Sequence, residues 1–288
     1  MSQLLRILAA QIEIPETRTA IARDTHLARI AGLIDATLAR EPADLVVLPE
    51  LSSIEYSRAA FDRLDDLAEA DDGASWQAFA PVARKRGCTI LYGFARRGAK
   101  RPRISMGHVG PDGGFKGGYD KLHLCQYGAS MEKEYFAPGA GLFLFAVGGL
   151  RAAPIVCYDI RIPELSRTLC RTHGARLLLH CGAYFKDESY PTWPDFVTAR
   201  AMENQVYLLS LNRAGKDFGG SMLCPPWIDA RGEIIRFSDR ETLTVVTVDP
   251  TRIEAVRKAY TFLVDARPSY ADLPVHVVSE AAGHKTGR

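Results

Sequence analysis

The chain has 288 residues, of which 47% are hydrophobic and 24% are charged, a composition typical of a globular protein with a large core. Its 36 basic and 34 acidic residues give a net charge of +2, which provides no electrostatic basis for binding nucleic acid or an anionic membrane. The N-terminal segment "MSQLLRILAAQIEI" is interrupted by Arg6 and is too short to span a membrane, so we interpret it as containing a first strand.

The first half of the chain predicts strands that alternate with helices, followed by a hairpin. Continuous apolar runs indicate buried strands, and apolar residues three and four positions apart indicate amphipathic helices. We expect strands at 4–12, 44–50 and 88–97, helices at 17–40 and 75–87, and a hairpin over 103–121 that turns at Pro-Asp-Gly-Gly.

The second half continues the alternation without a linker. We expect a hairpin over 142–157 that turns at Gly148-Gly149, helices at 162–173 and 193–204, and strands at 175–182, 206–212, 221–229, 232–238 and 242–249. These elements predict one α/β layered domain over 1–288, with its core at about 4–270 and a polar tail at about 279–288.

The six cysteines are scattered, with no Cys-x-x-Cys pair and no zinc-ligand spacing to histidine. Scattered thiols in a chain of this length indicate a reducing compartment, so we expect a soluble cytoplasmic protein without a metal site.

Three polar residues of complementary chemistry follow strand-like runs: Glu50, Lys121 and Cys157. Ligand sites of α/β sheets collect beyond the carboxyl ends of strands, so these side chains can converge in one pocket. Each residue also has a plainer interpretation, as a capping carboxylate, a surface lysine or a small buried thiol. Taken singly, none of them would justify an active site.

Together, the three residue types make an acyl-transfer site that needs no histidine. Cys157 would attack a carbonyl or nitrile carbon, Glu50 would take the thiol proton, and Lys121 would hold the developing oxyanion. The backbone N–H of Tyr158, at the start of the next helix, would assist Lys121. Collapse would release ammonia or an amine and leave a thioester, which water activated by Glu50 would hydrolyse.

Three motifs, in this order, resemble those of the nitrilase, or carbon–nitrogen hydrolase, superfamily. They are "LPEL" at 48–51, "YDKLHL" at 119–124 and "CYDIRIPELSR" at 157–167, with agreement also in "EKEYFAPG" at 132–139, "ARAMENQVYLLSLNRAG" at 199–215 and "CPPW" at 224–227. The resemblance implies the same three catalytic roles, a four-layer α-β-β-α sandwich with two mixed sheets, and a homodimer or higher even oligomer. It implies no metal and no organic cofactor.

The resemblance also implies a second glutamate that helps to position the substrate near the lysine. Glu132 and Glu134 are the two candidates, and the offset to Pro138-Gly139 favours Glu132. Arg161 and Glu164, in the third motif, are interpreted as structural residues that hold the helix after the nucleophile.

The residues after the nucleophile favour an amidase or carbamoylase over a nitrilase, because Tyr158-Asp159 stands where true nitrilases tend to have Trp-Glu. We therefore expect an amidase that cleaves a small linear amide into ammonia and a carboxylic acid. The open alternatives are an N-carbamoyl amidohydrolase with the same triad, then a nitrilase, an acyltransferase that uses the thioester, or a non-catalytic scaffold.

Substrate identity cannot be copied from a relative, because "SSIEYS" at 52–57 and "RISM" at 103–106 depart from common family patterns where the pocket is shaped. The pocket candidates, all in or near strand-end loops, are Tyr56, Tyr127, His180, Cys181 and Tyr184. His180 has an alternative interpretation as a buried core histidine.

Overall fold

The first sheet is built mainly from the first half of the chain. The computed structural model describes residues 4–278. This sheet comprises β1 (Leu5–Gln11), β2 (Leu45–Val47), β3 (Thr89–Arg96), β4 (Arg103–Val109), β5 (Phe115–Asp120) and the late strand β12 (Thr242–Val248). The order is β12-β1-β2-β3-β4-β5, with β1, β2 and β3 parallel and the other neighbours antiparallel.

The second sheet repeats this arrangement with the later strands. It comprises β6 (Phe145–Val147), β7 (Leu150–Val156), β8 (Leu177–Cys181), β9 (Tyr207–Leu211), β10 (Met222–Cys224) and β11 (Ile235–Arg236). The order is β11-β10-β9-β8-β7-β6, with β7, β8 and β9 parallel. Parallel strands are normally covered by helices on one face and by a second layer on the other, and both sheets follow that rule.

The helices form the two outer layers and short connections. They are α1 (Ala20–Arg40), α2 (Arg58–Phe61), α3 (Leu64–Leu67), α4 (Ala74–Arg86), α5 (Glu132–Tyr135), α6 (Pro163–Arg167), α7 (Trp193–Asn204), α8 (Pro250–Ala259) and α9 (Phe262–Asp265). Separate buried clusters lie between the two sheets, between the first sheet and α1 with α4, and between the second sheet and α6 with α7. The predicted α-β-β-α sandwich is confirmed.

Local sequence signals account for several boundaries. Helix α1 begins after Thr19, whose hydroxyl accepts a hydrogen bond from the backbone N–H of Ala22. Helix α4 ends at Gly87, which has a φ of 65°, a left-handed conformation that suits glycine. The hairpin of β6 and β7 turns at Gly148 and Gly149, both with positive φ, as two-residue hairpin turns require.

Some predicted elements differ in the structure. The helix expected at 162–173 divides into α6 and a π-helical segment, Thr168–Thr172, and a 3₁₀ segment, Cys157–Arg161, precedes it. The strands expected at 221–229 and 232–238 shorten to β10 and β11, and helix α8 was not predicted although Asp249 caps it. The tail at 279–288 lies outside the described residues. Along residues 4–278, no helix is both long enough and apolar enough to cross a membrane.

Candidate active site

The ends of three strands bring Glu50, Lys121 and Cys157 to one edge of the sandwich. Strand β5 lies two antiparallel steps from β3, so it runs in the same direction as β2 and β3. Glu50 follows β2 in the turn after Val47, while Lys121 directly follows β5. The Lys121 Nζ lies 2.8 Å from Glu50 Oε1. From the second sheet, the N–H of Ala183 just after β8 donates to Glu50 Oε2 at 2.8 Å.

Lys121 is held between two carboxylates in a fully buried cluster. Its Nζ donates to Glu50 Oε1 at 2.8 Å and to Glu132 Oε1 at 2.7 Å, and all three side chains have 0% exposure. Burial by itself disfavours the ammonium, but the Glu132 and Glu50 carboxylates overcome this effect and raise the pKa of Lys121 well above its ordinary value. The lysine is therefore a permanent cation, and two of its three N–H donors are used by these partners.

The position of the second glutamate distinguishes the two residues that the sequence left open. Glu132, at the first position of α5, is buried beside Lys121. Glu134 is exposed and pairs with Arg58 at the surface, where Arg58 Nη2 lies 2.9 Å from Glu134 Oε1. The structure thus brings Glu132, rather than Glu134, into the cluster.

Glu132 is also fixed by neighbours other than the lysine. Its Oε2 accepts from the backbone N–H of Cys125 at 2.8 Å, and Tyr56 donates its hydroxyl to Oε1 at 2.9 Å. Burial raises the pKa of Glu132, the positive charge of Lys121 lowers it, and the negative charge of Glu50 raises it. The net result is a pKa above the ordinary value. Predicted pocket residue Tyr56 is therefore in direct contact with the charged cluster.

Cys157 is placed on a strained turn that exposes its thiol to the site. Its φ is 44°, a left-handed value that costs a non-glycine residue about 1–2 kcal/mol. The residue begins the 3₁₀ segment Cys157–Arg161, so the N–H of Tyr158 belongs to its first turn, where backbone donors have no partner within the helix. Burial, with the nearby charge of Glu50, raises the pKa of Cys157, and Lys121 opposes this change.

An open cavity lies over the thiol, and its empty space of about 400 Å³ includes the solvent at its mouth. Its wall includes the predicted residues Tyr56, Tyr127 and Tyr184, along with Glu132, Cys157 and Tyr158. His180 and Cys181 do not line it, which corrects the prediction. They lie within β8, where Cys181 packs between the sheets and His180 is turned toward the helix layer beside Trp193.

Arg161, which the sequence interpretation treats as structural, lies in the wall of the cavity. Its guanidinium lies 5.6 Å from the ring of Tyr127 and 5.7 Å from the ring of Tyr184, and Nη2 also donates to the Tyr184 hydroxyl. Its Nε is buried and has no hydrogen-bond partner among the described residues. The cavity also contains Asp187, whose Oδ1 already accepts from the Ser189 hydroxyl at 2.7 Å.

Asp159 is a second residue whose role the sequence did not reveal. It is fully buried and joins the end of β5 to the turn that carries Cys157. Its Oδ2 accepts from the Tyr119 hydroxyl at 2.7 Å and from the N–H of Val156 at 3.0 Å, while its Oδ1 accepts from the N–H of His123 at 3.0 Å. Tyr119 and His123 belong to the "YDKLHL" motif and Asp159 to the "CYDIRIPELSR" motif, so the sequence contained both sides of this contact but did not show that they meet.

Arg213, just after β9, supports Glu50 from the opposite side. Its guanidinium donates to three backbone carbonyls of the turn after β2, those of Glu50, Leu51 and Ile54, at distances from 2.9 to 3.3 Å. Arg213 belongs to the "ARAMENQVYLLSLNRAG" stretch at 199–215, but the sequence does not indicate that it contacts a turn about 160 positions earlier. As for metals, the part of the chain from residue 4 to 278 contains no group of three or more His, Cys, Asp or Glu arranged to hold an ion.

Comparison with known proteins shows the family and the fold of this chain. Residues 6–258 match the family model described as carbon-nitrogen hydrolase. An (R)-stereoselective amidase from a Pseudomonas species is 31% identical over 78% of this chain and 80% of its own, and a 2-oxoglutaramate amidase from Bacillus subtilis is 31% identical over 69% and 75%. The crystal structure of a carbon–nitrogen hydrolase from Helicobacter pylori superposes with a TM-score of 0.78 at 24% identity, over 92% of this chain and 96% of the other, and shows the same fold.

Proposed function

The chain belongs to the carbon–nitrogen hydrolase family, and we propose that it hydrolyses a small linear amide that also carries a carboxylate, with Glu50, Lys121 and Cys157 as its catalytic residues. The observation that carries the proposal is the cavity floor, where the Cys157 thiol opens beside the buried cluster of Lys121, Glu50 and Glu132. The site is a concave pocket, the form that small-molecule sites take, which favours a small free amide as the substrate.

The reaction begins with the removal of the thiol proton by Glu50. Both Glu50 oxygens are oriented, one by Lys121 and one by the N–H of Ala183, and each keeps a lone pair that can accept the proton. The thiolate adds to the amide carbon, and the electron pair of the C=O bond moves to oxygen. The third N–H of Lys121 and the N–H of Tyr158 stabilise that oxyanion.

Collapse of the tetrahedral species completes acylation. Glu50 returns the proton to the nitrogen, the C–N bond breaks, and ammonia leaves a thioester on Cys157. Glu50 then takes a proton from water and the resulting hydroxide adds to the thioester carbon. The C–S bond breaks to release the carboxylic acid, and Glu50 returns its proton to the Cys157 sulfur. Glu132 positions Lys121 through the 2.7 Å hydrogen bond and accepts a hydrogen bond from the Tyr56 hydroxyl.

Arg161 supports the carboxylate part of the proposal. It is a permanent cation on the cavity wall, it has no carboxylate within salt-bridge distance among the described residues, and its Nε has no hydrogen-bond partner there. A substrate carboxylate in the cavity would meet the guanidinium and form a charge-assisted bond with it. The Bacillus subtilis relative is named for 2-oxoglutaramate, which is itself an amide with a carboxylate.

The test compares two amides of equal length, succinamate and butyramide, which differ in a carboxylate against a methyl group. We expect ammonia release from succinamate to have a kcat/KM about 10- to 150-fold higher, the range that a hydrogen bond to a charged group provides. Cys157→Ala is expected to abolish both activities. Arg161→Gln is expected to remove the preference for succinamate while changing butyramide hydrolysis by less than about threefold.

Activity that survives in Cys157→Ala would overturn the nucleophile assignment. Equal loss of both amides in Arg161→Gln would overturn the carboxylate anchor and leave the amidase proposal intact. N-carbamoyl amino acids and nitriles in the same panel test the remaining chemistries, since an N-carbamoyl substrate would release carbon dioxide as well as ammonia. The homodimer or higher even oligomer stays a prediction, which sedimentation of the purified protein would test.

A further inference from the structure

A chain of buried hydrogen bonds leads from the helix layer to the backbone of Cys157. Trp193 donates its indole N–H to Ser210 Oγ at 2.9 Å, Ser210 Oγ lies 2.6 Å from His180 Nδ1, and His180 Nε2 lies 2.9 Å from the Cys157 carbonyl oxygen. Exposure is 1% for Trp193 and 0% for Ser210 and His180. None of these three side chains lines the cavity or is used in the proposed mechanism.

The direction of every bond in this chain is fixed by its two ends. An indole N–H can only donate and a carbonyl oxygen can only accept. Ser210 therefore accepts from Trp193 and gives its own proton to His180 Nδ1, which leaves the histidine proton on Nε2, pointing at the Cys157 carbonyl. Burial also lowers the pKa of His180 to about 4, so the ring is neutral under ordinary conditions and keeps this single tautomer.

The Cys157 carbonyl and the Tyr158 N–H belong to the same peptide group. A trans peptide is planar, and its C=O and N–H point in opposite directions. A hydrogen bond that anchors the carbonyl on the helix side therefore directs the N–H of Tyr158 to the other side, and Tyr158 lines the cavity. This constraint matters here because Cys157 has a φ of 44°, a conformation that a non-glycine backbone leaves readily when it is not held.

We propose that His180 is a positioning residue, whose Nε2–H orients the Cys157–Tyr158 peptide so that the Tyr158 N–H meets the oxyanion, with Ser210 and Trp193 holding the required tautomer. The inference rests on the proposed function insofar as it assigns Tyr158 to the oxyanion. The inference concerns a residue that does not line the cavity and acts on the site only through the Cys157 carbonyl.

The test uses two small reagents that place different demands on the site. The Cys157 sulfur adds to the carbonyl carbon of butyraldehyde, the electron pair of the C=O bond moves to oxygen, and the thiol proton passes to Glu50, which leaves the oxygen of the hemithioacetal negatively charged. The hemithioacetal therefore needs the oxyanion donors. Methyl methanethiosulfonate reacts by S–S bond formation with loss of methanesulfinate, so it needs the thiolate but forms no oxyanion.

The variants are His180→Phe, His180→Gln and Ser210→Ala. In His180→Phe we expect aldehyde affinity and amide kcat/KM to fall at least about tenfold, because a misdirected oxyanion donor loses much of its effect, while thiosulfonate modification of Cys157 stays within about twofold of wild type. The glutamine amide can still donate to the carbonyl, so His180→Gln is expected to retain aldehyde affinity within about threefold. Ser210→Ala frees the tautomer and is expected to fall between the two.

Cys181→Ala is the matched control, because Cys181 is the next residue of β8, is equally buried and, unlike His180, forms no hydrogen bond with Cys157. It is expected to behave as wild type with both reagents. Aldehyde affinity that is unchanged in His180→Phe would overturn the inference. So would a parallel loss of aldehyde binding and thiosulfonate reactivity in His180→Phe and His180→Gln, because that result would mean general damage to the turn.

The wild-type protein separates failure of this inference from failure of the proposed function. Aldehyde binding at Cys157 that responds to His180, without ammonia release from any amide, would overturn the amidase proposal and support the inference. Absence of aldehyde binding by the wild type, with Cys157 still modified by the thiosulfonate, would overturn the inference, because no oxyanion site would exist for His180 to organise.

Discussion

At the scale of single residues, the site combines two carboxylates with one ammonium and one thiol. Burial has the largest effect on the pKa of Cys157 and raises it. Glu50 and Glu132 also raise this pKa, Glu50 more than Glu132, whereas Lys121 lowers it. The two carboxylates therefore favour the protonated thiol, and Lys121 favours the thiolate. The same arrangement keeps Lys121 charged, so its positive charge is available when the oxyanion forms.

This balance predicts opposite effects of one substitution on thiol acidity and on catalysis. In Glu50→Gln the pKa of Cys157 should fall, because a negative charge next to the thiolate is removed, and amide hydrolysis should fall by about 10²- to 10⁴-fold, because the general base is lost. The midpoint of thiosulfonate modification against pH measures the first effect. Glu132→Gln should shift that midpoint in the same direction but by less.

A midpoint that rises in Glu50→Gln would contradict the electrostatic assignment. Full turnover in that variant would contradict the role of Glu50 as base, whatever happens to the thiol. Glu134→Gln is a suitable control, since Glu134 is at the surface and pairs with Arg58.

At the scale of elements, Glu50 sits on an irregular turn that another element supports. The turn after β2 contains Leu51 with a φ of 46°, and its carbonyls are held by Arg213 from the end of β9. Arg213 is only 2% exposed, and burial lowers its pKa to about 10. Its hydrogen bonds are accepted by carbonyl oxygens rather than by a carboxylate. The arginine, which follows a strand of the second sheet, thereby holds the turn of the first sheet that positions Glu50.

Removing the guanidinium should therefore destabilise the protein and displace Glu50. We expect Arg213→Met to lower the free energy of unfolding by about 2 kcal/mol, since buried carbonyls lose donors, with a larger loss of kcat than of substrate binding. Urea unfolding measures the first effect. Arg63→Met, at an exposed arginine paired with Asp66, should change stability by less than about 0.5 kcal/mol. Equal effects of the two substitutions would contradict this supporting role.

At the scale of the whole molecule, buried neutral histidines make stability depend on pH. His26, His108 and His180 are each buried in a different part of the sandwich, and burial lowers the pKa of each to about 4. Between about pH 6.5 and 4 the unfolded chain binds a proton at each of these sites and the folded chain does not. Stability should therefore decrease as the pH falls through this range, by up to about 4 kcal/mol per pH unit for three protons.

His108 offers a direct check of this acid sensitivity. It packs against Phe143 and Phe145, and neither of its ring nitrogens has a hydrogen-bond partner among the described residues. We expect His108→Leu to be at least as stable as wild type near pH 7 and to reduce the slope of stability against pH by about one third, because one of three protons is removed. Urea unfolding at about pH 7, 6 and 5 measures the slope, and an unchanged slope would contradict the prediction.

Much of this protein was determined by local sequence patterns. Apolar periodicity indicated most strands and the two long covering helices, since burial on one face leaves a repeat in the letters. The order of Glu50, Lys121 and Cys157 after strand-like runs indicated one shared edge, because ligand sites of such sheets collect beyond strand ends. Helix α8 was missed where Pro250 and exposed polar residues weaken the apolar repeat, although the Asp249 cap was present.

The tertiary structure alone decided which distant residues touch. Glu132 and Glu134 are two positions apart in one short helix, and only their opposite orientations place one against Lys121 and the other against Arg58. Arg161 lines the cavity because the chain turns at Cys157 through a positive φ. The residue pattern does not predict this backbone conformation. Contacts such as Arg213 with Glu50 depend on how two sheets pack, and packing joins residues far apart in the chain, where local patterns carry no information.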